Sequence, residues 1–129
     1  MMVRHGYIVD GIGFEITDDS GESNTVWYSR PTGDISEVSL NSGEYITQIS
    51  GTYGKYFGQQ VLIASIKIHT NTNPNGYGPY GRAQATEDVK PFATPFPSDS
   101  TLVGFFGNYG NPYLTSIGAY AKYGRYGGV

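Results

Sequence analysis

The stretch Gly6-Tyr7-Ile8-Val9-Asp10 combines several groups that can bind a small ligand rich in hydroxyl groups. The carboxylate of Asp10 can accept charge-assisted hydrogen bonds from two hydroxyl groups. Gly6 allows a ligand to approach the backbone without meeting a Cβ atom. Tyr7 offers an apolar ring face together with a hydroxyl group. An aspartate at a strand end more often caps a turn, so both interpretations of Asp10 stay open on spacing alone.

Two further stretches, residues 42–51 and 110–120, resemble the first one. Each contains a glycine, a short turn, a polar residue and an isoleucine two positions later; the polar residues of the three copies are Asp10, Thr47 and Thr115. A recurring motif predicts one supersecondary unit used three times. Because the spacings are unequal, we expect approximate symmetry within one domain.

Short apolar runs separated by glycine, proline and polar turns predict an all-β fold. In the first run the even-numbered residues 8–16 form one face, with Asp10 as the one polar member. In residues 61–69 strict alternation places Ile63 and Ile66 on opposite faces. About ten or eleven strands are expected, which favours a closed or stacked architecture. The predicted runs are residues 7–17, 25–29, 35–40, 44–53, 59–70, 89–97, 101–106 and 113–123, and those at 44–53 and 59–70 are the clearest.

The composition argues against several classes of partner. The 129 residues include 8 basic and 11 acidic side chains, for a net charge of −3, and no basic run. Nucleic acid and anionic membrane surfaces are therefore not expected partners. There is no cysteine, which excludes disulfides and thiolate metal sites. No run approaches the roughly 20 apolar residues of a membrane helix. Residues 1–5 lack a signal-peptide core, and the compartment stays open between secreted and cytoplasmic.

No pattern predicts catalysis, a metal ion or a cofactor. His5 and His69 have no carboxylate at ligand spacing. Asp18, Asp19 and Glu22 lack the regular alternation of a calcium loop, so a solvated turn is the favoured interpretation. The glutamates offer no recognisable acid–base pair, and neither a nucleophile elbow nor a phosphate loop is present. The sequence predicts a binding protein and not an enzyme.

The order and spacing of several longer motifs resemble the jacalin-related lectin family. These motifs are Ser42-Gly43-Glu44-Tyr45-Ile46-Thr47, Ile49-Ser50-Gly51, Thr70-Asn71, Tyr77-Gly78-Pro79-Tyr80-Gly81 and Gly104-Phe105-Phe106-Gly107. The resemblance covers roughly residues 7–123. It implies a β-prism of three four-stranded Greek-key sheets with pseudo-threefold symmetry. The lectin domain would span residues 1–123, and residues 124–129 would form a glycine-rich tail.

Two departures from the family pattern bear on function. Members of the family begin with a Gly-Gly loop and a strand pair, of which only residues 1–5 remain here. The N-terminal strand pair is therefore expected to be incomplete. In the C-terminal binding loop the family's aspartate corresponds to Thr115, and one residue is inserted around Asn111-Pro112. The first repeat keeps the full Gly-x-x-x-Asp pattern, so the resemblance places the better sugar site there.

The resemblance implies a non-catalytic lectin for mannose- or glucose-type glycans, since the galactose branch depends on an N-terminal feature that this chain lacks. The glycine loop at residues 32–34 would close the far side of the first-repeat site. The third loop could bind through Asn111 and backbone amides. The predicted sugar-binding residues are Gly6, Tyr7, Ile8, Val9, Asp10, Gly33, Asp34, Gly110, Asn111, Tyr113 and Thr115.

A second interpretation belongs to another functional class. A β-prism that has lost sugar binding would serve as a protein-interaction or targeting module of a larger protein, and Thr115 in place of the aspartate favours it. For the lectin, a homo-oligomer is expected, because one shallow site binds a monosaccharide weakly and multivalency raises the avidity. Strand edges left open by the incomplete N-terminal pair would offer the interface.

Overall fold

Eleven strands and no helix make up the part of the chain that the structure describes. This computed structural model describes residues 1–94, 102–110, 113–121 and 124–127. The strands are β1 (Met2–His5), β2 (Val9–Thr17), β3 (Ser23–Ser29), β4 (Asp34–Glu37), β5 (Ile46–Tyr56), β6 (Gln60–Thr70), β7 (Tyr77–Tyr80), β8 (Thr86–Ala93), β9 (Leu102–Gly110), β10 (Tyr113–Ala121) and β11 (Gly124–Gly127).

The strands form three antiparallel sheets. Their orders are β4-β1-β2-β3, β8-β5-β6-β7 and β9-β10-β11. The first two have the 4-1-2-3 order of a Greek key. The third repeats the 1-2-3 part, and no described strand takes the fourth position. The predicted all-β prism of three sheets is confirmed.

The N-terminal residues complete the first sheet. β1 pairs with β2 on one side, where Val3 faces Ile12, and with β4 on the other, where Val3 faces Ser36. Val3 is fully buried, and the terminal amino group donates to the carbonyl oxygen of Val38. The sheet with fewer strands is therefore the C-terminal one, in which residues 124–127 pair with β10.

The three copies of the sequence motif do not occupy equivalent places in the fold. The first and third lie between the first and second strands of their sheets, at the β1–β2 and β9–β10 connections. The second copy, residues 42–51, instead leads into β5, which is a first strand. The equivalent connection in that sheet is Phe57-Gly58-Gln59. The sequence comparison therefore matched a segment that leads into β5, whereas the connection equivalent to the other two copies follows β5.

A β-bulge in β6 changes which side chains reach the interior. Thr52 faces Ser65, but the next residue, Tyr53, faces Ile63, so Ala64 is the extra residue. A bulge shifts the alternation by one position. Ile63 therefore joins Ile66 in the central core, and the predicted strict alternation is wrong here. The central core cluster also contains Val3, Val9, Ile12, Val38, Ile49, Ile68, Phe92, Leu114 and Ile117.

Glu44, near the start of the second motif copy, is a structural residue. Its carboxylate accepts hydrogen bonds from the hydroxyl groups of Thr70 (2.6 Å), Thr72 (2.7 Å) and Tyr77 (2.7 Å). It also accepts one from the backbone N–H of Asn41 at 3.0 Å. These bonds, led by that from Thr70, lower the pKa of Glu44 to about 2. The carboxylate thereby ties the segment before β5 to the β6–β7 connection.

Candidate functional site

The first-repeat loop is a tight turn between β1 and β2. The N–H of Gly6 donates to the carbonyl oxygen of Ile8 at 3.0 Å, which closes the turn. The β7–β8 connection holds it from outside, because Arg82 N–H donates to the Gly6 carbonyl at 3.1 Å and Gln84 N–H to the Tyr7 carbonyl at 2.8 Å. The loop is thus fixed before any ligand arrives.

Asp10 is the second residue of β2, directly after this turn, and its carboxylate has few polar partners in the protein. The residue is only 7 % exposed. Within the described ranges no hydrogen bond reaches the carboxylate oxygens, and the one ion pair is to Arg30 Nε at 3.8 Å. Burial raises the pKa of Asp10 and outweighs the opposite effect of Arg30, His5 and Arg4. A buried carboxylate with unused acceptor capacity gains strongly from donors that a ligand supplies.

Gly33 lies against that carboxylate. Its φ is +100°, and a Cβ built on it would lie 2.5 Å from Asp10 Oδ2 and 3.0 Å from the carbonyl oxygen of His5. Only glycine fits both the conformation and the space. The neighbouring Asp34 is exposed at the start of β4, and the described residues give its side chain no hydrogen bond or ion pair. Of the two predicted residues in this loop, Gly33 therefore borders Asp10.

Aromatic rings from two other hairpins lie at the same end of the prism as Asp10. The guanidinium of Arg30 lies 5.1 Å from the ring centre of Tyr113, which begins β10. Tyr56, at the end of β5, packs edge-on against Tyr113 at 5.5 Å. Burial, followed by Tyr113, raises the pKa of Tyr56, and Asp10 contributes to the same increase. The adjacent Phe57 is 65 % exposed. Three hairpins therefore meet at one end.

The remaining predicted residues divide into three groups. Tyr7 is exposed and stacks beneath Arg82 at 5.6 Å. The side chains of Ile8 and Val9 are in the core, which leaves only their backbone for a ligand. In the third loop, Gly110 pairs with Tyr113, and Asn111 lies outside the described residues. Thr115 is the extra residue of a β-bulge, and its hydroxyl group donates to the Asn108 carbonyl at 3.3 Å.

Two residues of this arrangement were not predicted from the sequence. Arg30 stood in a turn, and nothing in its neighbourhood marked it as the ion partner of Asp10. Tyr56 stood in the predicted connection between the strands at 44–53 and 59–70, and its place beside Tyr113 depends on how the second and third sheets meet. A topological comparison of the three hairpins would have found Tyr56, since it precedes the β5–β6 connection as His5 precedes Gly6.

The described ranges were also searched for other kinds of site. No three His, Asp or Glu side chains in them lie close enough together to hold a metal ion. Nor do these ranges contain a helix with the length and apolar character needed to span a bilayer.

The profile of the jacalin-like lectin domain matches residues 1–120. This chain belongs to the jacalin-like lectin family. A mannose/glucose-specific lectin of Parkia pendula is 38% identical over 94 residues, which are 72% of this chain and 20% of that lectin. This jacalin-like chain thus spans a fifth of the length of that relative. Protein RESTRICTED TEV MOVEMENT 1 of Arabidopsis thaliana is 38% identical over 122 residues, 95% of this chain and 64% of that protein.

Solved structures agree with the family assignment. The Calsepa lectin of Calystegia sepium in complex with a biantennary N-glycan superposes with a TM-score of 0.76 at 28% identity. The match covers 94% of this jacalin-like chain and 79% of that structure. The jacalin-like lectin family is one of carbohydrate-binding proteins without catalytic activity, and this chain carries a domain of that family.

Proposed function

We propose that this jacalin-like chain binds mannose- or glucose-type glycans at a shallow site centred on Asp10. The observation that carries the proposal is the buried Asp10 carboxylate, which lies against Gly33 and lacks hydrogen bonds from the described residues. The specificity of the Parkia pendula lectin supports the choice of sugar.

The proposed chemistry follows from the groups around Asp10. The ionised carboxylate accepts hydrogen bonds from two sugar hydroxyl groups. These bonds replace the hydrogen bonds to water that the carboxylate loses when the chain folds around it. Backbone N–H groups of the turn donate to sugar oxygens. The exposed ring of Tyr7 offers an apolar surface to the C–H face of the sugar. Arg30 forms an ion pair with the carboxylate, with Nε 3.8 Å from Oδ1.

We further propose that sugar binding is multivalent in a homo-oligomer, and that residues 1–123 carry the lectin activity. A shallow monosaccharide site of this kind gains avidity when several copies engage one glycan surface. Light scattering of the purified chain over a range of concentrations measures the oligomeric state, and a monomer throughout would contradict the oligomer.

Binding to a glycan array tests the proposed site directly. We expect wild type to bind mannose- or glucose-bearing glycans and Asp10→Ala to lose that binding. Two charge-assisted hydrogen bonds, at about 1.5–3 kcal/mol each, correspond to a roughly 100-fold or greater loss. The variant should fold, because the raised pKa means that the ionised carboxylate opposes folding at neutral pH.

Asp19→Ala is the matched control, since it removes the same charge from an exposed turn. Its array profile should equal that of wild type. Retention of mannose binding by Asp10→Ala would reject the site and move attention to the third loop.

Binding should also depend on pH. Sugar recognition requires the ionised form of Asp10, whose pKa lies above the ordinary 3.8, so binding weakens as pH falls through that raised value. The pKa of Glu44 is shifted in the opposite direction, to about 2. Its ionised carboxylate therefore stabilises the fold fully above pH 4.5, and this stabilisation is lost as pH falls from 4.5 to about 2. Calorimetric titration with methyl α-mannoside at pH 7, 5 and 4 measures the effect of Asp10, and circular dichroism of the same samples shows whether the protein stays folded over that range. Unchanged affinity at pH 4 would contradict the role of ionised Asp10.

A second candidate function is a protein-interaction module. It is favoured by Thr115, which bonds within its own hairpin, and by the relation to RESTRICTED TEV MOVEMENT 1, which covers nearly the whole chain. An array with no signal from folded wild-type protein would select this function over the lectin.

A further inference from the structure

A serine and a histidine form a pair across the outer face of the second sheet. Ser50 lies on β5 and His69 on β6, and Ser50 Oγ is 2.6 Å from Nε2 of the His69 ring. The adjacent residues Ile49 and Ile68 are fully buried in the core, so the pair faces the outside. The other ring nitrogen, Nδ1, is 2.8 Å from the carbonyl oxygen of Pro74. Two short hydrogen bonds therefore connect the serine, the imidazole and the carbonyl group.

The Pro74 carbonyl fixes which nitrogen of His69 carries the proton. A carbonyl oxygen can only accept, so Nδ1 of His69 is the donor in that bond. In the neutral ring Nε2 is then unprotonated, and it accepts the hydroxyl hydrogen of Ser50. One partner thus orients the ring, and the basic nitrogen points at the other. A hydroxyl group bound to an oriented imidazole is the arrangement of an activated nucleophile.

A cation lies beside this pair. Lys67 is the direct partner of Ser50 across the β5–β6 ladder. A Cβ atom on Gly76 would lie 3.1 Å from Nδ1 and Cε1 of His69 and 3.2 Å from Cε of Lys67, so both side chains pack beside that glycine. Within the described residues no carboxylate forms an ion pair with Lys67. Its ammonium group is therefore available to stabilise negative charge on a carbonyl oxygen that Ser50 attacks.

The hydroxyl group of Ser50 is accessible from the outside of the sheet. On the side away from β6, Ser50 pairs with Ala93 of β8, which is exposed and has a small side chain. Ser50, Lys67 and His69 are all partly exposed. A small reagent can therefore reach the pair without any change in the sheet.

We propose that Ser50 is an acylation site, at which His69 acts as the general base toward a small ester or thioester with a good leaving group. Nε2 of His69 takes the hydroxyl proton while Ser50 Oγ forms a bond to the acyl carbon. The bond from that carbon to the leaving oxygen or sulfur breaks, and the imidazolium returns the proton to the leaving group. Ser50 becomes an ester, so each chain takes up one acyl group. Neither residue belongs to the proposed sugar site, so this inference is independent of sugar binding.

The test uses the full chain with two probes, a fluorophosphonate dye and p-nitrophenyl acetate. We expect the dye to label wild type, and peptide mapping by mass spectrometry to locate the label on Ser50. Ser50→Ala should lose the label, and His69→Gln should slow labelling roughly 100-fold, because glutamine cannot take the proton. p-Nitrophenyl acetate should acetylate Ser50 faster than any lysine.

Thr52→Ala is the matched control. Thr52 lies two residues further along the same face of β5, but its hydroxyl group is bound to Ser65 Oγ at 2.6 Å and not to an imidazole. Its removal should leave the labelling rate unchanged. Circular dichroism shows whether each variant keeps the fold. Urea should abolish labelling of wild type, because unfolding separates β5 from β6.

The proposal is overturned by absence of label on Ser50 in wild type, or by equal labelling rates of wild type and His69→Gln. Equal labelling of the folded and the urea-unfolded chain would also overturn it, since the reactivity would then not depend on the pair. Acetylation of Lys67 in place of Ser50 would reject it as well and identify the lysine as the nucleophile.

Discussion

Gly33→Ala should abolish carbohydrate binding although it removes no polar group. The new methyl group would lie 2.5 Å from Asp10 Oδ2, far inside the contact distance, so the carboxylate must move or the loop must open. Either change separates Asp10 from the backbone amides that would bind the same sugar. The expected loss is as large as that of Asp10→Ala, roughly 100-fold or more, because the same hydrogen bonds are lost. Calorimetry with methyl α-mannoside measures it.

Backbone strain is a separate effect that a control can isolate. At a φ of +100° alanine is strained, which costs on the order of 1–2 kcal/mol of stability. Gly21→Ala introduces comparable strain at a φ of +86°, but no atom lies within 4 Å of the added methyl group. We expect both variants to melt at lower temperature and only Gly33→Ala to lose binding. Full affinity in Gly33→Ala would show that the carboxylate does not need its present position.

Ile63→Ala should be among the most destabilising substitutions in the chain. Ile63 is fully buried in the central core, where truncation to alanine leaves a cavity and costs about 2–5 kcal/mol. Val61, two positions earlier on the same strand, is 46 % exposed, and Val61→Ala should cost less than about 0.5–1 kcal/mol. Urea denaturation followed by circular dichroism gives both free energies of unfolding.

Comparison of Ile63→Ala with Ile66→Ala tests the β-bulge at Ala64. Without the bulge, Ile63 would point away from the face that carries Ile66, and its truncation would leave the central core intact. With the bulge, Ile63→Ala and Ile66→Ala should cost similar amounts. A small loss of stability in Ile63→Ala together with a large loss in Ile66→Ala would contradict the bulge and support strict alternation along β6.

The sequence was sufficient for the architecture because turns and apolar runs are local signals. Glycine and proline turns mark the ends of most strands, and the family motifs fix their order. The bulge at Ala64 left no such signal, since Leu62, Ile63 and Ala64 are apolar on both faces. Local pattern also misplaced the second motif copy, because only strand pairing reveals that residues 42–51 precede a first strand and not a second one.

The candidate site was predictable only where it is contiguous. Gly6 and Asp10 belong to one turn, and the family resemblance brought Gly33 beside them. Arg30 and Tyr56 reach the same place from other strands, and no spacing in the sequence encodes those contacts. The sheet with only three described strands was likewise out of reach, because the pairing of residues 1–5 with β2 and β4 has no local signal in the sequence.

The meeting of three hairpins at one end has a consequence for engineering. Each loop is positioned by the ladder of its own sheet, and a small cluster of Ile8, Leu62 and Ala64 joins the first two. The exposed residues of each loop can therefore be randomised separately while the ladders keep the three segments in register. The fold thus resembles a display scaffold, on which a library of new recognition surfaces could be built without redesign of the interior.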